Sequence, residues 1–246
     1  MTAAASIKDV GTAVATTGAI AAAAYLLPGA TAIAPLRLAL LPGLAGVGAA
    51  DHVALTFDDG PDPASTPQIL DVLAEHGVRA TFFILGFMAE RAPALVRDMV
   101  AAGHELAVHG FEHRMLVGRS PRATLRDIAR ARDLLIAVTG CTPRYYRPPY
   151  GVLTAGALHA AEELSLQPVL WTTCGKDWTA HATAESVHHR VIRGPLAAGT
   201  ILLHDADCTA APGAWRSTLG ALPKILWHCQ GQGLRVGRLD EHFPRG

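Results

Sequence analysis

The sequence has no excess of charge of either sign, because 21 Lys and Arg side chains stand against 21 Asp and Glu among its 246 residues. A nucleic-acid-binding protein carries a basic stripe for phosphate contacts, so this balance argues against that class. The four cysteines are too few for a disulfide scaffold, and none lies in a C-x-x-C pair. No G-x-G-x-x-G or P-loop pattern follows the first predicted strand. Half of the residues are hydrophobic, which excludes a disordered chain.

Charge is scarcest at the amino-terminal end, where residues 1–50 contain only Lys8, Asp9 and Arg37. The uncharged run at residues 10–36 is long enough to cross a bilayer, although Ala, Gly and Thr dominate it and Pro28-Gly29 interrupts it. A signal peptide needs a basic start, and Asp9 cancels Lys8. Residues 1–50 are therefore predicted to be an apolar segment, either a membrane anchor or a helix that packs on the domain formed by residues 51–246.

Strands and helices alternate through that domain. Apolar stretches predict seven buried strands, at residues 52–57, 79–84, 104–109, 144–147, 167–171, 199–204 and 234–239. Helices are predicted around residues 69–73, 89–102, 155–164, 184–193 and 219–229, and between Pro121 and Gly140. Regular alternation without a long linker indicates one parallel β/α domain. A barrel suits the length better than an open doubly wound sheet, and the pattern alone leaves both open.

Two acidic residues directly follow the first predicted strand, in Asp58-Asp59-Gly60-Pro61. Adjacent carboxylates repel each other, and a bound cation reverses that penalty. A solvated turn is the alternative, because Asp, Gly and Pro all favour turns.

His109 and His113 are the only histidines spaced four residues apart. If the chain turns helically after the third predicted strand, both imidazoles lie on one face and can bind one ion. Zinc and similar metals accept two such nitrogens together with a carboxylate. Either histidine alone is more typical of a packed or surface residue, and its position at the end of a strand favours the metal hypothesis.

Further polar residues follow three more predicted strands. Arg147 precedes two prolines that stiffen the backbone, Asp177 precedes Trp178, and His204 ends a strand beside another aspartate. A surface arginine and a structural histidine are the alternatives. The carboxyl ends of the strands of a β/α barrel share one face, where catalytic groups gather. We therefore expect these residues to meet the aspartates and the histidine pair at one site.

Together these segments resemble the five ordered motifs of the polysaccharide deacetylase (NodB homology) family. The motifs are Thr56-Phe57-Asp58-Asp59-Gly60-Pro61, His109-x-x-x-His113, Arg147-Pro148-Pro149-Tyr150-Gly151, Asp177-Trp178 and Leu202-Leu203-His204. The resemblance covers about residues 52–242. It implies an α/β fold, a distorted (β/α)₇ barrel of parallel strands, preceded here by the apolar N-terminal segment.

The resemblance also implies an activity, that of a metal-dependent hydrolase that removes N-acetyl or O-acetyl groups from a carbohydrate polymer. Its partner would be an acetylated glycan, and its location the cell envelope, outside the cytoplasm, with a cytoplasmic location as the alternative. The metal ligands it implies are Asp59, His109 and His113, and the ion is usually Zn²⁺, with Co²⁺ or another divalent ion as alternatives. The catalytic roles it implies are Asp58 as general base, Arg147 orienting Asp58, His204 as general acid and Asp177 tuning His204. The Tyr150 backbone N–H would hold the oxyanion, while Trp178 and Leu202 would line the acetyl pocket.

The sequence departs from the family pattern at two positions. Gly110 stands where the family often has Ser or Thr, which predicts a looser ligand loop, and Cys174 replaces an aspartate of the fourth motif. Cys174 and Cys208 are either a disulfide or, as the sequence alone favours, two unrelated thiols.

Two other functions are weighed against the deacetylase. One is a related barrel hydrolase acting on a non-carbohydrate amide or a cyclic ureide. The other is a non-catalytic glycan-binding envelope protein. The intact ligand set, and the presence of both Asp58 and His204, favour the deacetylase.

Overall fold

The described part of the chain, residues 27–243 of a computed structural model, contains eight parallel strands in one curled sheet. They are β1 (His52–Asp58), β2 (Thr81–Ile84), β3 (Glu105–Val108), β4 (Tyr145–Tyr146), β5 (Gln167–Pro168), β6 (Thr173–Cys174), β7 (Thr200–His204) and β8 (Arg235–Gly237). Their order is β5-β4-β3-β2-β1-β7-β6, and β8 pairs with the amino-terminal half of β1. The expected distorted barrel of parallel strands is confirmed.

Nine α-helices and two 3₁₀ turns surround this sheet within residues 27–243. The helices are α1 (Ala34–Leu40), α2 (Thr66–Glu75), α3 (Gly86–Arg91), α4 (Pro93–Ala101), α5 (Pro121–Thr139), α6 (Ala155–Glu163), α7 (Ala184–Arg193), α8 (Trp215–Gly231) and α9 (Leu239–His242). The 3₁₀ turns are Leu27–Ala32 and Pro149–Gly151.

Most of the predicted elements are present, and the caps explain where they begin and end. The Ser120 side chain accepts a hydrogen bond from the Ala123 N–H at the start of α5, and Gly140 ends that helix in a left-handed conformation. The predicted single helix over residues 89–102 is wrong. The chain forms α3 and α4 instead, because proline at position 93 disfavours helical geometry at Ala92.

The predicted strand at residues 167–171 is also too long. Only Gln167–Pro168 pairs with β4, and an additional strand, β6, follows at Thr173–Cys174 and pairs with β7. Consequently the chain crosses from one edge of the sheet to the other between these two strands. The Val169 N–H donates to the Tyr146 carbonyl at 2.9 Å, and the Thr172 N–H donates to the Thr200 carbonyl at 3.0 Å. This side of the barrel is therefore closed by the segment that connects β5 and β6, and not by hydrogen bonds between the two strands.

Residues before β1 cover that closure. The Leu170 N–H donates to the Leu44 carbonyl at 2.8 Å, and the Thr200 hydroxyl donates to the Gly46 carbonyl at 2.7 Å. Arg37, the only charged residue between positions 10 and 50, turns inward and is 2% exposed. Its guanidinium donates to the Trp171 carbonyl at 2.8 Å.

The outer side of the same segment carries exposed large hydrophobic residues. They are Leu27, Ile33, Leu36, Leu40 and Leu41, and they are called the apolar face below. No helix within residues 27–243 is long and apolar enough to cross a membrane. Of the run at residues 10–36, for which a membrane anchor and a packing helix are both open, positions 10–26 lie outside the described residues.

Candidate active site

The predicted site residues meet at the carboxyl ends of the strands, around a cavity of about 250 Å³. Asp58 and Asp59 come from the end of β1, His109 follows β3, Arg147 follows β4, and His204 ends β7. The cavity is lined by Asp58, Asp59, His109, His113, Tyr150, Gly151, Trp171, Trp178, Leu202, His204 and Thr209. Of the sequence-predicted residues, only Arg147 and Asp177 lie behind this wall, where both are buried.

Asp59, His109 and His113 form the one cluster of residues 27–243 whose ligand atoms could hold a metal ion. Oδ1 of Asp59 lies 3.4 Å from Nε2 of His109 and 3.6 Å from Nε2 of His113. This buried oxygen has no hydrogen-bond partner, which is costly unless a cation completes its environment. One carboxylate and two imidazoles suit a divalent transition metal and leave positions open for water. The residues present therefore fit the divalent metal that the resemblance implies.

His109 is held in the form that a metal ligand requires. Its Nδ1 lies 2.8 Å from the Arg147 carbonyl, so Nδ1 carries the proton and Nε2 presents its lone pair to the cluster. Burial lowers the pKa of this imidazole to about 3, although Asp59 opposes the shift. The ring is consequently neutral at physiological pH.

The chain does not turn helically between His109 and His113, which is the condition on which the sequence predicts that their imidazoles share one face. The carbonyls of Gly110 and Phe111 accept hydrogen bonds from the N–H groups of Gly86 and Phe87, so they are not available to a helix. Gly110 instead has φ of +99°, a conformation that favours glycine, and a Cβ there would lie 3.0 Å from Oδ2 of Asp127. The two imidazole rings still meet, with centroids 5.3 Å apart. A loop that bends at Gly110, and not a helix, therefore brings the two imidazoles together.

Asp58 lies beside the cluster and is held by Arg147. The guanidinium donates to Oδ1 of Asp58 at 2.7 Å and to the Thr56 hydroxyl at 2.8 Å. It also donates to the carbonyls of Val169 and Leu170, so each of its three nitrogens makes at least one hydrogen bond. Burial raises the pKa of the Asp58 carboxyl, and Arg147 opposes that rise. The second oxygen, Oδ2, is left on the side of the metal cluster, 3.8 Å from Nε2 of His109.

A second buried pair, Asp177 and His204, lies on the other side of the cavity. Nδ1 of His204 is 2.9 Å from Oδ1 of Asp177, whose other oxygen accepts the His204 backbone N–H at 2.7 Å. The Thr218 hydroxyl donates to that same oxygen. Burial opposes protonation of His204, but the Asp177 carboxylate, together with the more distant Asp59 and Asp58, raises the pKa of the imidazole to about 10. His204 is therefore a charged imidazolium held in a fixed orientation.

Aromatic and aliphatic side chains complete the walls. The Trp178 ring packs edge-on against His204 at 5.3 Å between centroids, next to the buried Leu202. Tyr150 is 56% exposed, has φ of +61°, and its ring lies 4.5 Å from that of His113. These three are the residues expected to contact the substrate, and all three line the cavity.

Sequence reasoning missed three residues of the site. Trp171 ends the predicted strand at residues 167–171, so the strand-end argument would have found it. Thr56 opens the first motif, but the resemblance implies no role for it, and its hydroxyl accepts a hydrogen bond from Arg147. Thr209 lies in the loop after β7, where nothing in the local sequence indicates a contact with Asp59.

All four cysteines are free, so Cys174 and Cys208 are two separate thiols, as the sequence favours, and the alternative of a disulfide between them is absent.

Known proteins resemble this chain along most of its length. The sequence profile of the family described as polysaccharide deacetylase matches residues 46–169. A peptidoglycan-N-acetylglucosamine deacetylase of Bacillus cereus is 35% identical over 191 residues, which cover 77% of this chain and 86% of that protein. A chitooligosaccharide deacetylase of Sinorhizobium fredii is 39% identical over 199 residues, covering 78% and 92% respectively. The crystal structure of a peptidoglycan N-acetylglucosamine deacetylase matches with a TM-score of 0.74 and 32% identity, covering 80% of this chain and 90% of that one.

Proposed function

The chain belongs to the polysaccharide deacetylase family, and we propose that the cavity at the ends of its strands is where it hydrolyses the acetamido group of an N-acetylated glycan. Hydrolysis of acetylated carbohydrate is the activity of its relatives, and residues 51–246 are the proposed catalytic domain. The observation that carries the proposal is the buried Oδ1 of Asp59, which lacks a hydrogen-bond partner and faces two imidazole nitrogens.

Asp59, His109 and His113 hold a divalent ion, proposed to be Zn²⁺, because two neutral imidazoles and one carboxylate are donors that zinc favours. Co²⁺ accepts the same set. When bound, such an ion supplies Lewis acidity to the acyl oxygen and to a water molecule.

Asp58 is the proposed general base. Its Oδ1 is fixed by Arg147, so Oδ2 is the oxygen that accepts a proton from the attacking water. Burial keeps this carboxylate more basic than an exposed one, while the guanidinium keeps it ionised. Arg147 thus sets both the direction and the charge of the base without contacting substrate.

His204 is the proposed general acid. An amine cannot leave as an anion, so a donor must protonate the nitrogen as the C–N bond breaks. With Nδ1 held by Asp177, the opposite nitrogen, Nε2, is the one that delivers the proton. The backbone N–H of Tyr150 donates to the tetrahedral oxyanion, while Trp178 and Leu202 enclose the acetyl methyl group.

The acetate-release assay tests this proposal. Peptidoglycan, chitooligosaccharides and an acetylated exopolysaccharide are incubated with the chain, with and without a chelator. We expect acetate from at least one N-acetylated glycan, and loss of release on chelation. Release unaffected by the chelator would contradict the metal site, and no release from any glycan by the metal-loaded chain would favour a non-carbohydrate amide as substrate.

The proposed location is the cell envelope, as the peptidoglycan substrates named for its relatives suggest. The apolar face supports membrane association there. The only charge between residues 10 and 50 belongs to Arg37, which is turned into the protein, so the outward side of residues 27–50 carries no charged group. Burial of such apolar surface in the bilayer interface is favourable, because it removes that surface from water.

Liposome flotation of the full chain checks that association. A Leu36→Asp, Leu40→Asp variant should float less than the wild type, since two charges would enter the apolar face. Leu158→Asp, at an exposed position on α6, is the matched control and should float as the wild type does. Equal flotation of all three would contradict docking through this face.

A further inference from the structure

The loop between β7 and α8 reaches back to the proposed metal cluster. The Thr209 hydroxyl donates a hydrogen bond to Oδ2 of Asp59, and the Cys208 thiol lies 3.5 Å from the Asp59 backbone carbonyl. Oδ1 of the same aspartate has no hydrogen-bond partner. One carboxylate therefore has one oxygen engaged by a hydroxyl and the other facing the two imidazoles.

Thr209 is held in place by its own loop. The Asp207 side chain accepts a hydrogen bond from the Gly213 N–H, which closes the loop on itself. The Ala211 N–H donates to the Trp178 carbonyl at 3.1 Å and fastens the loop to the wall of the cavity. The hydroxyl of Thr209 is thus presented from a braced backbone, although the residue lies on the surface of the protein.

Asp59 itself is in a sparsely populated conformation, with φ of +80°. Non-glycine residues adopt this geometry at a cost, and it persists where neighbouring contacts fix it. A carboxylate that is not hydrogen-bonded can rotate and offer either oxygen, or both, to an ion. A single donor on Oδ2 removes that freedom and leaves Oδ1 as the oxygen directed at the two imidazole nitrogens.

We infer that Thr209 is a positioning residue for the metal, which selects Oδ1 of Asp59 as the sole carboxylate ligand atom by occupying Oδ2. The inference rests on the proposed function, because it concerns the same metal cluster. Partners that orient a metal ligand in this way change metal affinity by about 10–100-fold when they are removed. A purely structural hydroxyl on an exposed loop would leave metal affinity unchanged.

Metal affinity is the direct test. Apo protein prepared by chelation is titrated with Zn²⁺ against a chromophoric chelator, for the wild type and for Thr209→Val, Thr209→Ala and Thr209→Ser. Valine keeps the shape but lacks the hydroxyl, so we expect affinity to fall by about 10–100-fold, and alanine to do the same. Serine keeps the donor, so Thr209→Ser should bind Zn²⁺ about as tightly as the wild type.

Thr179→Val is the matched control, because Thr179 is an exposed loop threonine whose hydroxyl also makes one hydrogen bond, at 3.3 Å to the Lys176 carbonyl. Its metal affinity should equal that of the wild type. The visible absorption of the Co²⁺-loaded proteins gives a second readout: a change in band position in Thr209→Val, absent in Thr209→Ser, is expected when the carboxylate changes its binding mode.

The outcomes separate this inference from the proposed function. If the wild type binds Zn²⁺ and Thr209→Val binds it equally well with an unchanged Co²⁺ spectrum, the role of Thr209 is wrong and the proposed function stands. If the wild type binds no divalent ion, both the role of Thr209 and the proposed metal-dependent function are wrong. Thermal melting of each apo variant shows whether it is folded, and Thr209→Ala replaces Thr209→Val if the latter is not.

Discussion

Arg147 donates a hydrogen bond of 2.7 Å to Oδ1 of Asp58, and both side chains are buried. Because both groups are removed from water, each one stabilises the ionised form of the other. A buried ion pair is a weak source of stability compared with apolar packing, but breaking it leaves an uncompensated charge. Two of our predictions concern this pair.

Replacing Arg147 with Met should lower the free energy of unfolding by about 3–5 kcal/mol, since Asp58 would remain buried without its cation. Denaturant unfolding of the two proteins measures this. Asp58→Asn and the double variant complete a cycle, in which the double variant should be more stable than Arg147→Met alone. An Arg147→Met protein with the wild-type unfolding midpoint would contradict the pairing.

Asp58→Asn should lower the rate of acetate release by about 100-fold or more, because the amide cannot accept the proton of the attacking water. Metal binding should persist, since the three proposed ligands are untouched. Metal content and acetate release are measured on the same preparation. Near-wild-type activity in a metal-loaded variant would remove Asp58 from the role of base.

Asp177→Asn should shift the alkaline limb of the rate profile to lower pH. Asp177 is the strongest of the groups that raise the pKa of His204 to about 10, and without it only Asp59 and Asp58 would oppose the burial that lowers this pKa. The acid would then lose its proton at a lower pH. The pH dependence of kcat/KM measures this shift. An alkaline limb at the wild-type pH would show that Asp177 does not set the pKa of the general acid.

The same pair should make stability depend on pH in chelated protein. The pKa of His204 in the folded chain is raised from 6.5, so its protonation stabilises the fold fully below about pH 6.5. That contribution is lost as the pH rises towards 10. The difference in unfolding free energy between wild type and His204→Gln should therefore shrink between these values, and a constant difference would contradict the shift.

Gly110→Ala should lower both stability and metal affinity. A side chain at φ of +99° costs about 1–2 kcal/mol, and its Cβ would crowd Asp127 in the loop that carries the two histidines. Gly118→Ala is the matched control, because that glycine has φ of +83° with open space around it. Both variants should unfold more easily in denaturant, and only Gly110→Ala should need more Zn²⁺ for half-saturation. Equal metal affinity in the two would show that the ligand loop tolerates a side chain.

The strand ends, and with them most of the site, could be predicted from the sequence. Short apolar strands followed by Asp58, His109 or His204 carry their information locally, since each residue is fixed by the strand before it. Contacts between segments far apart in the sequence could not be predicted. The contact of Thr209 with Asp59 joins loops 150 residues apart, and the bend at Gly110 is set by hydrogen bonds to Gly86 and Phe87. Pro93 predicts the break between α3 and α4, but the helical spacing of the apolar residues around it favours a single helix.

The closure of the barrel by residues before β1 has a consequence for its solubility. Where β5 and β6 fail to pair, Leu44 and Gly46 accept the hydrogen bonds of Leu170 and Thr200. A chain shortened to begin at residue 51 would present these donors and the neighbouring apolar groups at a bare sheet margin. Such margins recruit a second chain by strand addition. We therefore expect the short segment before β1 to limit self-association, so that the shortened protein forms larger oligomers on size exclusion than the full chain.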